Sequence, residues 1–376
     1  MFWSGCTVIG ASLKRNVWFD KLTYKLFPNM YTVLVGRPGT GKGTATNPAM
    51  SILRKAGVAN VLSDRQTIEY ILERLSKGFT NIVPGQTNGS FTFSQDSSCI
   101  FYAPEMSIFT KASTSTFEIL NDLWEYRAPD DPFLYATRHK GDYKIKSPCQ
   151  SLLAGTAPAY LLKTIPDDAV GGGFTSRVNF VLERDPIRQM PVGMLDMQME
   201  VTLIDELKRI AQLHGEYKMC PSLEPIFKKY YESQISNEFD DEALANYTAR
   251  KGAHVVKLAM ILSASRGDDL LITDKDLYTA MAEIDHVAED VSMVFRAIGE
   301  SDFTATCDRV LRYLELKGNA TFQELLKANW KYADYNSLTI ILTTLTQAGL
   351  IADTTVGGKV SYKAVKQFKT KGVGQP

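Results

Sequence analysis

A glycine-rich segment with one lysine, residues 36–44 (Gly-Arg-Pro-Gly-Thr-Gly-Lys-Gly-Thr), has the residue types and spacing best suited to chemistry. Successive backbone N–H groups of such a turn can surround a polyphosphate, and a lysine can reach its β and γ oxygens. The apolar run 31–35 before it predicts a buried strand, and residues 45–56 predict a helix. This is the context that a phosphate-binding loop requires. We therefore expect a nucleoside triphosphate to bind Gly36, Pro38, Gly39, Thr40, Gly41, Lys42, Gly43 and Thr44.

One position of this loop departs from the usual pattern. Gly43 follows Lys42, where a Ser or Thr hydroxyl normally contacts Mg²⁺. We expect the hydroxyl of the next residue, Thr44, to meet the α-phosphate, with Mg²⁺ as its alternative ligand. The loop also resembles that of adenylate kinases, so a nucleotide kinase is an alternative function.

A second predicted strand, residues 98–103, leads to Pro104 and Glu105. An acid at the end of such a strand can orient the attacking water, and we expect Glu105 to do so and to contact Mg²⁺ through water. The alternative is an acid in the first turn of a helix that begins at Pro104. Since Ala103 and Pro104 stand where an Asp is usual, Mg²⁺ would be held mainly by phosphates and water.

Two further strands end or begin at residues that could sense the γ-phosphate. The strand 150–156 ends at Thr156, whose hydroxyl could bond the γ-phosphate or cap the helix that follows. Arg177 follows three glycines and precedes the strand 178–182. We expect it to be an arginine finger that reaches the γ-phosphate of a neighbouring subunit, with an ion pair inside the chain as the alternative.

A predicted β-hairpin, with strands 133–137 and 143–146, carries the basic residues Arg138, His139 and Lys140 near its tip. In a ring-shaped protein such tips can hold the phosphates of single-stranded DNA in the central channel. An ordinary solvated hairpin is the alternative.

Composition restricts the class of protein further. The 376 residues include 42 Lys and Arg and 42 Asp and Glu, so any contact with nucleic acid must come from a local cluster of charge. The five scattered cysteines predict neither a disulfide framework nor a zinc site, which favours a cytoplasmic location. No apolar run reaches the length of a membrane span.

The C-terminal half predicts two helical regions. Amphipathic patterns over 203–213, 225–236, 242–264 and 274–298 indicate a helical lid. In its third helix we expect Arg250 to be a second sensor that contacts ATP, with a solvated basic face as the alternative, and His254 to be structural. Residues 302–365 predict three helices and a β-wing that turns at Gly357 and Gly358, a winged helix. Its third helix lacks the cations of a groove-reading helix, which favours protein contacts or weak duplex contacts.

These elements predict an α/β fold: a P-loop NTPase (AAA+-like) core with a helical lid and a C-terminal winged-helix domain. The boundaries are 1–30 for an N-terminal segment packing on the core, 31–183 for the core, and 184–300 for a linker and the lid. The winged helix follows at 301–367, and 368–376 is predicted to be a flexible tail.

Several segments carry a family resemblance. Ser176-Arg177 before an apolar strand resembles the Ser-Arg-Phe finger motif of minichromosome-maintenance helicases. The stretch 28–182 is similar to a phage and plasmid family of P-loop ATPases associated with primase-polymerases. The segments concerned are 28–31, 36–44, 105–107, 155–158 and 173–177.

The resemblance implies a replicative, helicase-like ATPase that uses ATP and Mg²⁺. A finger that acts on a neighbouring subunit predicts head-to-tail contacts that close into a ring, and we expect a homo-hexamer with single-stranded DNA in its channel. The resemblance adds a primase or polymerase as a further partner, and the location is the host cytoplasm if the protein is phage-encoded. An ATP-dependent loader or switch with slow hydrolysis is the main alternative, and a nucleotide kinase is the other.

Overall fold

The computed structural model describes most of the chain in two compact units, Met1–Phe295 and Arg296–Pro376. The described residues are 1–63, 66–84, 91–106, 114–128, 130–137, 141–158, 160–161, 165, 173–182, 197–235, 242–299, 302–356 and 359–365.

A five-stranded parallel sheet forms the centre of the first unit. Its strands are β3 (Tyr31–Val35), β4 (Val61–Ser63), β7 (Ser98–Ala103), β10 (Cys149–Thr156) and β11 (Val178–Leu182). They lie in the order β11-β3-β10-β7-β4. Every residue of β3, β7 and β10 is buried, as expected for central strands of a parallel sheet covered on both faces.

The register of the sheet decides which loops lie together. Val35 at the end of β3 is paired with Thr156 at the end of β10, and Ala103 at the end of β7 is paired with Ala154. The segments that follow these three strands therefore start at one edge of the sheet, the carboxyl edge. The first residue of β11, Val178, is paired with Tyr31, so the segment before β11 lies at the opposite, amino edge.

Eight helices are described in or at the end of this unit. Helix α1 contacts α2, α5 and α7, and α2 also contacts α5. Val8, Met50, Leu53 and Leu153 are among the buried side chains that join α1 and α2 to the sheet. The helices are α1 (Phe2–Leu13), α2 (Lys42–Ala56), α3 (Ile68–Lys77), α4 (Thr114–Trp124), α5 (Met197–Ile210), α6 (Glu224–Ile235), α7 (Glu242–Arg266) and α8 (Asp274–Gly299).

A second, four-stranded sheet combines two strands of the N-terminal segment with two strands that the sequence did not indicate. Strands β1 (Val17–Asp20) and β2 (Lys25–Leu26) are antiparallel. Strand β12 (Gly215–Met219) is parallel to β1, and β13 (Leu271–Ile272) is parallel to β12. Two separate hairpins complete the unit: β5 (Phe79–Pro84) with β6 (Phe91–Asp96), and β8 (Phe133–Thr137) with β9 (Gly141–Ile145).

The start of α5 corrects the predicted linker. We expected the first helix after the linker to begin at residue 203, but α5 begins at Met197. Its first turns expose Met197, Met199 and Val201, so no buried stripe marks them in the sequence. Met, Gln and Glu are nevertheless good helix formers, and they extend the helix toward its N-terminus.

The second unit contains three helices and a three-stranded antiparallel sheet. The helices are α9 (Asp302–Lys317), α10 (Phe322–Asn329) and α11 (Tyr335–Gln347), in agreement with the three that were predicted. Strands β15 (Ile351–Val356) and β16 (Lys359–Ala364) form the predicted pair, and the short β14 (Ala320–Thr321) is added beside β16. The core includes Val310, Leu314, Leu325, Leu338 and Leu345.

Candidate nucleotide-binding site

The loop between β3 and α2 has a shape that depends on glycine. Gly39 and Gly41 have φ angles of 86° and 85°, where a side chain would be strained. A Cβ on Gly36 would lie 2.6 Å from the Thr40 hydroxyl oxygen. The Gly36 N–H donates to the carbonyl of Thr156 at 3.1 Å, which ties the start of the loop to the end of β10.

Lys42 places a cation over this loop. Its Nζ donates to the carbonyl oxygens of Gly36 at 2.6 Å and Arg37 at 2.9 Å. Helix α2 begins at Lys42 with Gly41 as its N-cap, and its first turn contains no acidic residue. The backbone N–H groups at the helix start and the positive end of its dipole favour an anion. The loop, the start of α2 and the amine of Lys42 together form a site suited to a polyphosphate.

The position after the lysine has room for a side chain. A Cβ on Gly43 would have Asn47 Nδ2 as its nearest neighbour, at 3.6 Å, which is an ordinary contact. Thr44 is exposed on the first turn of α2. In the part of the chain that the structure describes, no three His, Cys, Asp or Glu side chains cluster as a metal site. The role of the Thr44 hydroxyl as a ligand of Mg²⁺ stays a prediction.

Three of the predicted site residues lie at the carboxyl edge of the sheet: Lys42, Glu105 and Thr156. A Cβ on Gly155 would lie 2.7 Å from the carbonyl oxygen of Pro104 and 3.8 Å from Cβ of Lys42. The ends of β7 and β10 thus meet the start of α2 at this point. Glu105, the residue after Pro104, is exposed, and Thr156 is buried with its hydroxyl donating to the carbonyl of Ala157 at 3.3 Å.

Two arginines and a glutamate form a separate group, which we call the arginine cluster: Arg177, Arg250 and Glu125. Arg177 donates from Nε at 3.1 Å and from Nη2 at 2.6 Å to Oε1 of Glu125, and Nη1 donates to the Gly173 carbonyl at 2.6 Å. Arg250 Nη1 donates to the same Oε1 at 2.8 Å. The Arg177 side chain is only 10% exposed, and burial, followed by the charge of Arg250, lowers its pKa.

The arginine cluster lies away from the phosphate loop of its own chain. Arg177 immediately precedes β11, whose first residue is paired with Tyr31 at the start of β3. The five residues of β3 separate that level from the loop, a distance of roughly 16 Å along the strand. The structure does not bring Arg177 or Arg250 to Lys42. The ion pair given as the alternative for Arg177 is present, and the finger role, which concerns a neighbouring subunit, stays a prediction.

A buried lysine, Lys257, shares the Trp124 ring with the two arginines of the cluster. Lys257 Nζ lies 3.8 Å from the centroid of the Trp124 ring and donates to the backbone and side-chain oxygens of Asn29 at 3.2 and 2.6 Å. The guanidinium carbons of Arg177 and Arg250 are each 5.9 Å from the same ring. Burial is the main reason that the pKa of Lys257 is lowered to about 7. Sequence patterns did not indicate that Lys257 is buried, and they assigned no role to Trp124 or to the partner Glu125.

His254 has the structural position that we expected. Its Nε2 lies 2.9 Å from the carbonyl oxygen of Ser176, and its ring stacks on Tyr247 with centroids 5.2 Å apart. Complete burial lowers its pKa to about 3, so the ring is neutral at physiological pH. It holds the short 3₁₀ helix Thr175–Arg177 against α7.

The predicted DNA-binding tip cannot be placed. Strands β8 and β9 are paired from Phe133 with Ile145 to Thr137 with Gly141, so the hairpin itself is confirmed. Arg138, His139 and Lys140 lie outside the described residues.

Among the described helices, none is both long and apolar enough to cross a membrane.

The parallel sheet, glycine loop and lysine are consistent with a P-loop-like core. No protein-family model matches the chain, and no curated protein matches it. Among solved structures, the chain is weakly similar to "SCCmec type IV Cch - active helicase", with 11% sequence identity and a TM-score of 0.35. The match covers 96% of this chain and 66% of that one, so the chain spans slightly under two thirds of its length.

Proposed function

We propose that the chain is an ATP-driven, ring-forming DNA helicase or translocase with an AAA+-like core, a helical lid and a C-terminal winged helix. The observation that carries this proposal is the separation of the phosphate loop from Arg177 and Arg250, at opposite edges of one sheet. A nucleotide on the loop meets Lys42 but neither arginine of its own chain. A second copy, joined head to tail, would supply them.

In the hydrolysis of ATP to ADP and phosphate, each residue at the carboxyl edge would have a separate role. Lys42 leaves the loop carbonyls for the β and γ oxygens, and Thr156 donates to the γ-phosphate. Glu105 orients the attacking water and accepts its proton. Thr44 and, through water, Glu105 would hold Mg²⁺, which neutralises phosphate charge. Charge that develops on the γ-phosphate is offset by Lys42 and by the arginines of the neighbour.

Head-to-tail contacts that each complete a site close into a ring, and we propose a hexamer. Single-stranded DNA would pass through its channel against Arg138, His139 and Lys140 of each subunit, with affinity that falls steeply with salt. A primase or polymerase is the further partner, in phage or plasmid DNA replication in the cytoplasm.

A second candidate function is a loader or switch that binds ATP and hydrolyses it slowly. It is favoured by Gly43, which lacks the metal-binding hydroxyl, and by Ala103 and Pro104, which stand where an Asp would help to hold Mg²⁺. A nucleotide kinase is less well supported, because in a kinase the arginines of the same chain must reach the transferred phosphate.

Steady-state hydrolysis separates these functions. We expect single-stranded DNA to stimulate ATP turnover, and Arg177→Ala to retain ATP binding while losing ~10³-fold in turnover. Arg312→Ala, which removes an exposed arginine of the second unit, is the control and should hydrolyse ATP normally. Slow turnover unchanged by DNA, with assembly that requires ATP, would favour the switch. ADP formed in step with the loss of a nucleoside monophosphate would indicate a kinase.

A further inference from the structure

Glu125 is placed as a substitute for a phosphate. Three N–H groups from two guanidiniums converge on its Oε1, at 2.6, 2.8 and 3.1 Å. A phosphate oxygen accepts from paired arginines in the same way, with short charge-assisted bonds. The carboxylate thus occupies the place in which the arginine cluster would receive an anionic oxygen from another molecule.

The cluster is built so that Glu125 can leave while the arginines stay. The Glu125 side chain is 37% exposed, so it has access to water. Arg177 is mostly buried and is also held by the Gly173 carbonyl, and the Trp124 ring lies near both guanidiniums. Without a counter-ion two positive groups would face each other there, which is unfavourable in a partly buried place. Glu125 relieves this in the separate subunit.

We propose that Glu125 holds the two arginines in the unassembled subunit and is displaced by the terminal phosphate of the ATP bound to a neighbouring copy. This rests on the proposed function. It makes assembly depend on the γ-phosphate: ADP lacks the group that competes with the carboxylate, so Glu125 keeps the arginines and the contact between subunits is weaker. Glu125 is therefore a positioning residue, which selects for ATP at the boundary between subunits.

The surface beside the cluster is also suited to a second copy of the chain. Tyr24 and Glu125 line the same small pocket. Two residues before Tyr24, Leu22 is 98% exposed with a φ of 68°, and its N–H is bonded to the Asp20 carboxylate at 2.7 Å. A fully exposed leucine held in a left-handed conformation presents apolar area that a partner can cover.

The test compares ATP-dependent assembly of the full chain and its Glu125→Gln variant by mass photometry over a range of protein concentrations. Gln keeps the acceptor oxygen and removes the charge, so the arginines remain bonded but are held less strongly. We expect the variant to assemble at a concentration lower by at least ~10-fold, because a charge a few ångströms from the phosphate has been removed. With ADP, which lacks the terminal phosphate, neither the variant nor the wild type should assemble at these concentrations.

Control and second variants complete the design. Glu118→Gln removes an exposed carboxylate of α4, and it should assemble as the wild type does. Glu125→Asp keeps the charge beside the buried Arg177 but is too short to hold both guanidiniums. If the Gln variant does not fold, the Asp variant replaces it in the test. The protein concentration at which the Asp variant assembles with ATP should also be lower than for the wild type. Wild type with ADP and free orthophosphate should remain unassembled, which assigns the displacing group to bound ATP rather than to phosphate in solution.

The outcomes are distinct. If both folded Glu125 variants assemble at the wild-type concentration or above it, Glu125 only orients Arg177, and the proposal is wrong. If orthophosphate with ADP drives assembly of the wild type, the neighbour's nucleotide is not what displaces Glu125. If the wild type does not assemble with ATP, the ring function itself fails, and the displacement proposal fails with it.

Discussion

Replacing Lys257 with methionine should change how the stability of the protein depends on pH. Methionine has a similar length and its thioether packs well against Trp124, but it carries no proton. Burial lowers the pKa of Lys257 from an ordinary value of 10.5 to about 7. Between these values the unfolded chain binds a proton that the folded chain does not, so the stability of the wild type rises with pH.

The size of the effect follows from the lowered pKa. One pKa unit corresponds to about 1.4 kcal/mol, and between pH 7 and 8.5 the rise in the free energy of unfolding amounts to about 1.6 kcal/mol. The proton linkage of His254, whose pKa is lowered to about 3, operates below neutral pH. Burial raises the pKa values of the Cys6 and Cys149 thiols from 9.0 to about 12 and 11, so these thiols lower the stability as the pH approaches and passes 9, where they ionise only in the unfolded chain. Wild type and variant share both thiols.

Guanidinium chloride unfolding at pH 7, 7.5, 8 and 8.5 measures the effect as the difference between wild type and Lys257→Met. The difference removes contributions that the two proteins share. It should grow by about 1.6 kcal/mol across the series. Exposed Lys229→Met is the control, and its difference from wild type should stay flat. A flat or shrinking difference for Lys257→Met would show that burial does not lower the pKa of this amine.

Three further variants test the site and its surroundings. Gly43→Ser adds a hydroxyl at a position where a Cβ meets nothing closer than 3.6 Å, so the variant should fold. We expect its ATP hydrolysis to saturate at a roughly tenfold lower Mg²⁺ concentration. An unchanged Mg²⁺ titration would contradict this. Glu105→Gln should retain ATP binding and lose on the order of 10²-fold in turnover, and normal turnover excludes it as the base. Leu22→Asp should leave the subunit folded and raise the concentration for ATP-dependent assembly roughly tenfold; unchanged assembly places the contact elsewhere.

The central sheet and its loop could be predicted from local sequence. Strands β3, β7, β10 and β11 are short segments rich in apolar residues, and the glycines between β3 and α2 have the spacing that a phosphate loop requires. The second unit was predictable for the same reason, since helical periodicity and a Gly-Gly turn mark its elements. Lys42, Glu105 and Thr156 could be placed at one edge because parallel strands end together.

The arginine cluster could not be assembled from the sequence. Lys257 and Asn29 are 228 residues apart, and Arg250 and Glu125 are 125 residues apart, so no local pattern joins them. Strand β13 has only two residues and gains its pairing from β12, far away in the chain. Such elements are decided by tertiary contacts rather than by intrinsic preference.

Mixing two inactive variants tests the proposed subunit boundary most directly. Lys42→Ala loses its own nucleotide site but keeps Arg177, whereas Arg177→Ala keeps the loop and lacks the arginine. In randomly mixed rings at equal amounts, about a quarter of the boundaries join an intact loop to an intact arginine. We therefore predict about a quarter of the wild-type ATP turnover from a mixture whose components are each nearly inactive. Turnover no greater than the sum of the separate variants would contradict the claim that the site is completed by a second copy.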